Sequence, residues 1–372
     1  MAVSTITGKG LNANARRPNV QPLIINGNMQ VAQRSTSETG KTASGYYTCD
    51  RFKLNVSSLG TWTIAQETLT SGNAFADGFQ KAFRIDCTTA DASPGSGDYL
   101  LVNYSLEGQD VQCFKKGTAN AKKMTLSFWV KSNKTGTAQV NVRDIDNDRM
   151  CSGTYTIAAA DTWEHKIINI ASDSSGDFDI DNAESLRIQF WLDAGSNYTS
   201  GAVPTSWEAT ATADLSVNDL ALGDNTANDW AITGLQLEVG EYDSNTLPDF
   251  QHESYAENLV RCQRYYYKLA AADDEYFGTG NVDGSNSAQI LIHFPITMRT
   301  APSAVETTGT GSHYTIRVVS NVDCDAVPIF GNHSNKVAQL DFKKSSHGLT
   351  STDAAFGRSN NASSYLAWSA DL

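Results

Sequence analysis

Two stretches of the 372-residue sequence hold carboxylates close enough together to do chemistry. Asp144, Asp146 and Asp148 alternate in RDIDNDRM, and alternate carboxylates can converge on one Ca2+ through hard oxygen ligands. Counted as an EF-hand loop, however, the glycine position holds Arg149 and the twelfth position holds Tyr155. The second stretch, DSSGDFDIDNAE, holds Asp173, Asp177, Asp179, Asp181 and Glu184. Both are expected to be polar turns; Ca2+ is the alternative, and no other cofactor is expected. Paired carboxylates also serve glycoside hydrolysis, but sequence spacing picks out no pair here. Gly40-Lys41-Thr42 resembles the end of a P-loop, yet the first glycine of that motif would fall at Ser35. His252-Glu253 begins like a zinc-protease helix, but the second histidine position holds Ala256. The six histidines show no metal-ligand spacing, and there is no G-x-S-x-G nucleophile elbow. The expectation is a protein that is not an enzyme.

Aromatic side chains are the other candidates. In LRIQFWL (Leu186–Leu192), Leu186, Ile188, Phe190 and Leu192 alternate with Arg187, Gln189 and Trp191, so Trp191 falls on the polar face. Tyr198, Trp207 and Trp230 lie in or beside the long polar stretch Ala194–Asn228. Flat rings on a sheet surface can stack on the apolar faces of sugars while Asn, Asp and Gln hold the hydroxyls. The competing expectation is that these rings pack against another subunit or a covering sheet.

The elements that must position these groups are strands. Charged residues are only 19% of the chain, and Ser, Thr, Asn, Asp and Gly take their place, which suits short strands joined by polar turns. A helical bundle or coiled coil would need far more Ala, Glu, Lys and Leu. In MTLSFWVK (Met124–Lys131), Leu126, Phe128 and Val130 share one face, opposite Thr125, Ser127 and Trp129. Tyr99–Leu106, Ala138–Arg143, Trp163–Ile170 and Trp230–Val239 read the same way, and together they predict an antiparallel β-sandwich. Ser254–Tyr267 is the one helix predicted. Ser254 and Glu257 form a capping box, and Tyr255, Leu259, Cys262 and Tyr266 make one apolar seam. That seam packs either on the sandwich or on copies of itself; two heptads cannot hold an isolated coiled coil. Ala288–Phe294, Tyr314–Ser320, Val337–Phe342 and Tyr365–Leu372 predict a smaller C-terminal β domain.

The formal charge is −13 and is unevenly divided. Residues 1–37 hold Lys9, Arg16, Arg17 and Arg34 and no acid, so they are +4 and the rest of the chain is −17. The acidic body argues against nucleic acid or anionic membrane as a general partner, and no stretch is long and apolar enough for membrane insertion. The Gly-, Asn- and Thr-rich arm 1–22 cannot build a core of its own and is expected to order on a partner, with Arg16 and Arg17 at the attachment. There is no secretory h-region, and the six scattered cysteines are expected to be buried thiols made in a reducing cytoplasm.

An ordered run of motifs resembles a widespread group of bacteriophage virion proteins. It includes LIINGNMQVAQRSTS (Leu23–Ser37), CDRF (Cys49–Phe52), YLLVNYSLEGQDVQCF (Tyr99–Phe114), MTLSFWVKSNKTGT (Met124–Thr137) and TWEHKIINI (Thr162–Ile170). FWLDAGSNYTSG (Phe190–Gly201), ITGLQLEVGE (Ile232–Glu241) and PDFQHESYAENLVRCQRYYYK (Pro248–Lys268) complete it. HFPITMRTAPSA (His293–Ala304) and the closing YLAWSADL resemble the group more loosely. The resemblance implies a tail fibre or virion structural protein whose sandwich is similar to carbohydrate-binding modules. Where the group more usually has VATPFE, this chain has the longer, more polar EYDSNTLPDF (Glu241–Phe250).

The expected fold is therefore all-β. A jelly-roll-like antiparallel sandwich over 23–250 follows the arm, then a short helix and oligomerisation junction over 251–268, then a β tip over 269–372. The expected function is a homotrimeric tail fibre, assembled in the host cytoplasm and held in the virion by its arm. The arm would meet a tail or portal-proximal adaptor protein, and the fibre would contribute to recognition of a host-surface polysaccharide. The alternatives are a capsid head fibre or decoration protein, and a glycan depolymerase.

Overall fold

The computed structural model describes residues 21–345 and 348–372. The attachment arm with Arg16 and Arg17 lies outside the described residues. The chain divides into two compact units, one ending at Tyr255 (with Leu372) and one spanning Ala256–Asp371.

The first unit is two antiparallel sheets packed face to face. One has six strands, in the order Ser37–Lys41, Thr61–Thr68, Lys81–Thr89, Asp229–Val239, Met124–Lys131 and Glu164–Ile170. The other has seven: Glu208–Ala209, Arg149–Ile157, Gly136–Asp144, Glu184–Ala194, Tyr99–Glu107, Phe52–Ser57 and Gly45–Tyr46. Neighbours in the sheets are mostly distant in sequence, which makes this a jelly-roll-like sandwich and not a meander of hairpins. Period-two alternation sets the faces: Leu126, Phe128 and Val130 point inward with Trp62, Ile85, Phe190 and Ile232, and all are fully buried. Phe128, Tyr155 and Phe190 meet edge to face at the centre. The INGN turn of Leu23–Ser37 closes one end. The Asn26 amide grips Val31 at 2.8 and 2.9 Å, and a Cβ on Gly27 would lie 2.2 Å from the Leu235 carbonyl oxygen.

The second unit pairs a three-stranded sheet (Tyr266–Ala270, Tyr365–Ser369, Glu306–Thr307) with one of seven strands. The larger sheet runs Asn321–Asp323, Tyr314–Arg317, Ala354–Ser359, Tyr276–Val282, Ser287–His293, Val337–Lys343, Ile329–His333. Ile290, Tyr314, Leu340, Phe342 and Trp368 form its core.

The predicted helix is shorter than its pattern. It spans Tyr255–Gln263, and Tyr266 already lies on the next strand, opposite Ser369, with its hydroxyl donating to Glu306 Oε2 at 2.9 Å. The run Tyr265-Tyr266-Tyr267 favours extended backbone, and strand pairing overrides the helical spacing. The apolar seam is thus split between two elements. Tyr255 is 55% exposed, Leu259 half-buried, and Cys262 and Tyr266 buried within their own chain.

Candidate functional site

The two acidic stretches meet in space, around a lysine. Lys116 is buried and its Nζ pairs with Asp144 Oδ2 and, at 3.1 Å, with Asp173 Oδ2. The ammonium also donates to the carbonyls of Ser175 (2.9 Å) and Gly176 (2.7 Å) and lies over the rings of Trp207 (4.9 Å) and Phe178 (5.4 Å). Burial opposes ionisation of Asp173, but the bonds from Arg149, the Ser175 N–H and Lys116 outweigh it and hold this carboxyl below its ordinary range. Asp148 pairs with Arg143 at 3.1 Å, and Asp146 accepts the Asp179 N–H at 3.0 Å. The three calcium candidates Asp144, Asp146 and Asp148 therefore do not converge; the buried one is neutralised by a side chain. Among the described residues no cluster of three or more His, Cys, Asp or Glu is arranged to hold a metal ion.

Three of the four aromatic candidates are buried. Trp230 is fully buried, beside Phe190 (5.8 Å) in the sandwich core. Trp207, 8% exposed, donates its indole N–H to the Ala171 carbonyl at 2.7 Å and forms part of the lysine cage. Trp191 does project from the outer face of the seven-stranded sheet, as alternation predicts, but it is 3% exposed. The polar stretch after Ala194 folds back over that face. Gln139 and Asn141, on the neighbouring strand, donate to the carbonyls of Asp214 (2.7 Å) and Leu215 (2.8 Å), and Gln139 accepts the Val217 N–H (3.0 Å). Tyr99, Tyr198 and Leu215 then pack on Trp191. The amides that might have held sugar hydroxyls hold the chain's own backbone instead. Only Tyr198 of the four stays half-exposed.

The opposite outer face, on the six-stranded sheet, carries an open cleft of about 440 Å3. Trp129 projects there by the same alternation that turns Leu126, Phe128 and Val130 inward. His165 lies opposite it on the edge strand, and the two rings stack 5.0 Å apart at 26°. Burial in the cleft lowers the imidazole pKa from its ordinary value, with the charge of Asp77 acting the other way. The Trp129 indole N–H donates to Asp77 Oδ2 at 3.1 Å. Asp77 is held there because Leu69, Ala74 and Phe79 anchor its segment on Ala82, Ala231 and Trp163. Gly234 makes room: its φ is +62°, and a Cβ would lie 2.7 Å from the Phe79 ring. Phe79, Phe250 and His252 form an aromatic cluster, with centroids 4.8–5.3 Å apart, at the far side.

The cleft's other wall is the polar link Glu241–Phe250. Asp243 ties it into a turn, accepting from Asn245 N (2.9 Å) and Thr246 Oγ1 (2.8 Å) through its carboxylate and from Leu247 N (2.9 Å) through its carbonyl. Gln236 donates to the Pro248 carbonyl at 3.0 Å. Stacked rings, two carboxylates (Asp77 and Asp249) and an amide around one cleft can hold a polar ligand with apolar faces. Sequence reasoning missed this site. The signal was present, since Trp129 and Trp191 occupy the same kind of position.

No family model and no curated protein matches the chain. Among solved structures it is similar to the enzymatically active domain of tailspike protein 4 of bacteriophage CBA120, at 12% identity and a TM-score of 0.30, over 59% of this chain and 21% of that one. The chain thus spans about a fifth of that domain's length. It is also similar to a family 11 carbohydrate-binding module from Clostridium thermocellum in complex with a β-1,3-1,4-mixed-linked tetrasaccharide (11% identity, TM-score 0.27, 56% of this chain and 97% of that one). A family 29 carbohydrate-binding module gives 16% identity and a TM-score of 0.27 over 57% of this chain and 94% of that one.

A carboxyl with a strongly raised pKa lies outside the cleft. Asp193, 1% exposed, is pushed up to about 7, first by burial and then by the charge of Asp219, against the Gly223 N–H it accepts at 2.6 Å. A folded-state pKa above the unfolded one adds stability below pH 4, and that stability is lost as pH rises through 7. Relative to Asp193→Asn, the natural chain is expected to gain about 1–2 kcal/mol between pH 7 and pH 5.5, read by urea denaturation at each pH.

Proposed function

We propose that this chain is a phage virion structural protein, a trimeric tail fibre attached by its N-terminal arm, whose sandwich binds a host-surface glycan without cutting it. The cleft over the Trp129–His165 stack carries the glycan part of the reading. It presents aromatic faces beside fixed hydrogen-bonding groups, the combination that sugar recognition requires. The motif run from Leu23 to Lys268 supports the virion part, and the split charge supports a basic arm that docks on a tail or portal-proximal protein. The non-catalytic reading is supported by the position of Asp193: its carboxyl, pushed up to about 7, is buried and lines none of this cleft. Among the described residues no helix is long and apolar enough to cross a membrane.

Light scattering on the full chain is expected to give the mass of three chains, and calorimetry with host-surface polysaccharide is expected to give saturable binding with no release of reducing ends. A stable monomer would overturn the fibre. New reducing ends would replace binding with depolymerisation. Pull-down of the arm against capsid proteins in place of tail proteins would favour a head fibre.

A further inference from the structure

Lys116 and the two carboxylates around it are arranged as a reacting set as well as an ion pair. Nζ lies 2.5 Å from Asp144 Oδ2 and 3.1 Å from Asp173 Oδ2, and all three side chains are more than nine-tenths buried. An ammonium has three protons to donate. Here it meets four acceptors: these two oxygens and the carbonyls of Ser175 and Gly176. Passing one proton to Asp144 therefore costs it neither carbonyl. The two remaining N–H groups stay on Ser175 and Gly176, and the lone pair is left on the side where Asp144 lies. Asp144 is held from its other side: the Asn147 N–H donates to Oδ1 at 3.1 Å, and the Asn147 side-chain amide donates to Oδ2 at 3.0 Å. A fixed backbone N–H on Oδ1 meets the charge that develops when a nucleophile adds to the carboxyl carbon. Arg149 donates to Asp173 Oδ2 at 2.8 Å and keeps the second carboxylate in place. The rings of Trp207 and Phe178 enclose the nitrogen in a dry site.

We infer that Lys116 and Asp144 condense within the folded chain to an isopeptide bond between Nζ and Cγ, with Asp173 relaying a proton. The ion pair described above is the folded precursor. A proton passes from Nζ to Asp144 Oδ2, giving an amine and a carboxylic acid. The amine adds to Cγ, the C–N bond forms, and the negative charge on Oδ1 is held by the Asn147 N–H. Asp173 takes a proton from the nitrogen and delivers it to the Oδ2 hydroxyl. The Cγ–Oδ2 bond breaks, Oδ2 leaves as water, and Asp173 is ionised again. The pair is neutral overall before and after, one water is lost, and nothing is oxidised or reduced. In water an amine and a carboxylate do not condense; here the partners are pre-positioned and the product is shielded from hydrolysis. Lys116 belongs to the connection from Tyr99–Glu107 in one sheet to Met124–Lys131 in the other, and Asp144, 28 residues later, ends Gly136–Asp144. The bond ties that connection to the seven-stranded sheet and restricts the unfolded chain as a disulfide does. The six cysteines are all free, so it supplies a covalent tie that they do not.

The test is the mass of the full chain, purified, held at neutral pH and measured intact and after tryptic digestion. The intact chain is expected to be lighter than its sequence by one water. The digest is expected to contain a branched peptide that joins the Lys116 and Asp144 segments, uncut after Lys116. Lys116→Arg keeps a cation in the cage but cannot form this bond; it is expected to give the circular dichroism of the parent and its own full sequence mass. Asp173→Asn is expected to slow the loss of water roughly 100-fold. A parent chain that still has its full sequence mass after weeks would overturn the inference. So would a loss of water that persists in Lys116→Arg, because it would then come from other residues. A branched peptide that forms as fast in Asp173→Asn as in the parent would overturn the relay and leave the bond standing. The Lys116→Arg comparison decides the bond whether or not the Asp173 variant folds.

Discussion

Replacing Lys116 with methionine is expected to destabilise the sandwich by about 3–5 kcal/mol, a fall of about 10 °C in Tm for a unit of this size. The side chain sits between Asp144 and Asp173 with almost no exposure, and both carboxylates are nearly as buried. Methionine fills much of the volume but removes the only ammonium. Asp173 keeps Arg149 and the Ser175 N–H, whereas Asp144 keeps only donors from Asn147. An uncompensated buried carboxylate is the main loss, larger than the loss of the pair's own attraction. Adding Asp144→Asn should therefore recover part of it, since the amide oxygen still accepts the Asn147 N–H without a charge. Urea denaturation of the two variants and the parent measures both effects. If the single variant loses less than about 1 kcal/mol, solvent reaches Asp144 and the lysine is not its essential partner.

Trp230→Ala is expected to cost a similar amount, about 3–5 kcal/mol, for a different reason. The indole is fully buried between the sheets against Phe190, so truncation opens a cavity that rigid neighbouring strands cannot close. Its effect on sugar affinity per folded molecule should be nil. Trp129→Ala is expected to do the reverse, with a small change in stability and a clear loss of affinity. Measuring urea unfolding and glycan titration on both variants tests the separation. A Trp230 variant that folds normally but loses sugar binding would mean that its ring is reached by ligand after all.

Much of the architecture was legible because alternation is a local property. Met124–Lys131 was predicted to the residue, and Leu186–Leu192 lies within the observed Glu184–Ala194. The four C-terminal strands were placed correctly, with ends shifted by up to three residues. Phe52–Ser57, Thr61–Thr68 and Lys81–Thr89 were not singled out, although each also alternates. The helix was overextended because the 4, 3, 4 spacing of its apolar residues continues past Gln263, and only pairing with Tyr365–Ser369 draws Tyr266 into a sheet. The acidic turn between Gly136–Asp144 and Arg149–Ile157 was expected, but its counterion was not: Lys116 lies 28 residues before Asp144 in sequence.

By itself the sequence determined that the chain is built from antiparallel strands, which residues point inward, and that Trp129 and Trp191 both point outward. Each follows from the two-residue period of a strand, which needs no knowledge of the neighbours. Only the tertiary structure decided which outer face stays open. The segment after Ala194 is bonded by Gln139 and Asn141 onto the seven-stranded sheet, so Trp191 becomes core. The link Glu241–Phe250 instead stands at the side of the six-stranded sheet, so Trp129 becomes the floor of a cleft. Covering a face depends on contacts between residues some 70 positions apart, and nothing in the local pattern of either strand encodes them.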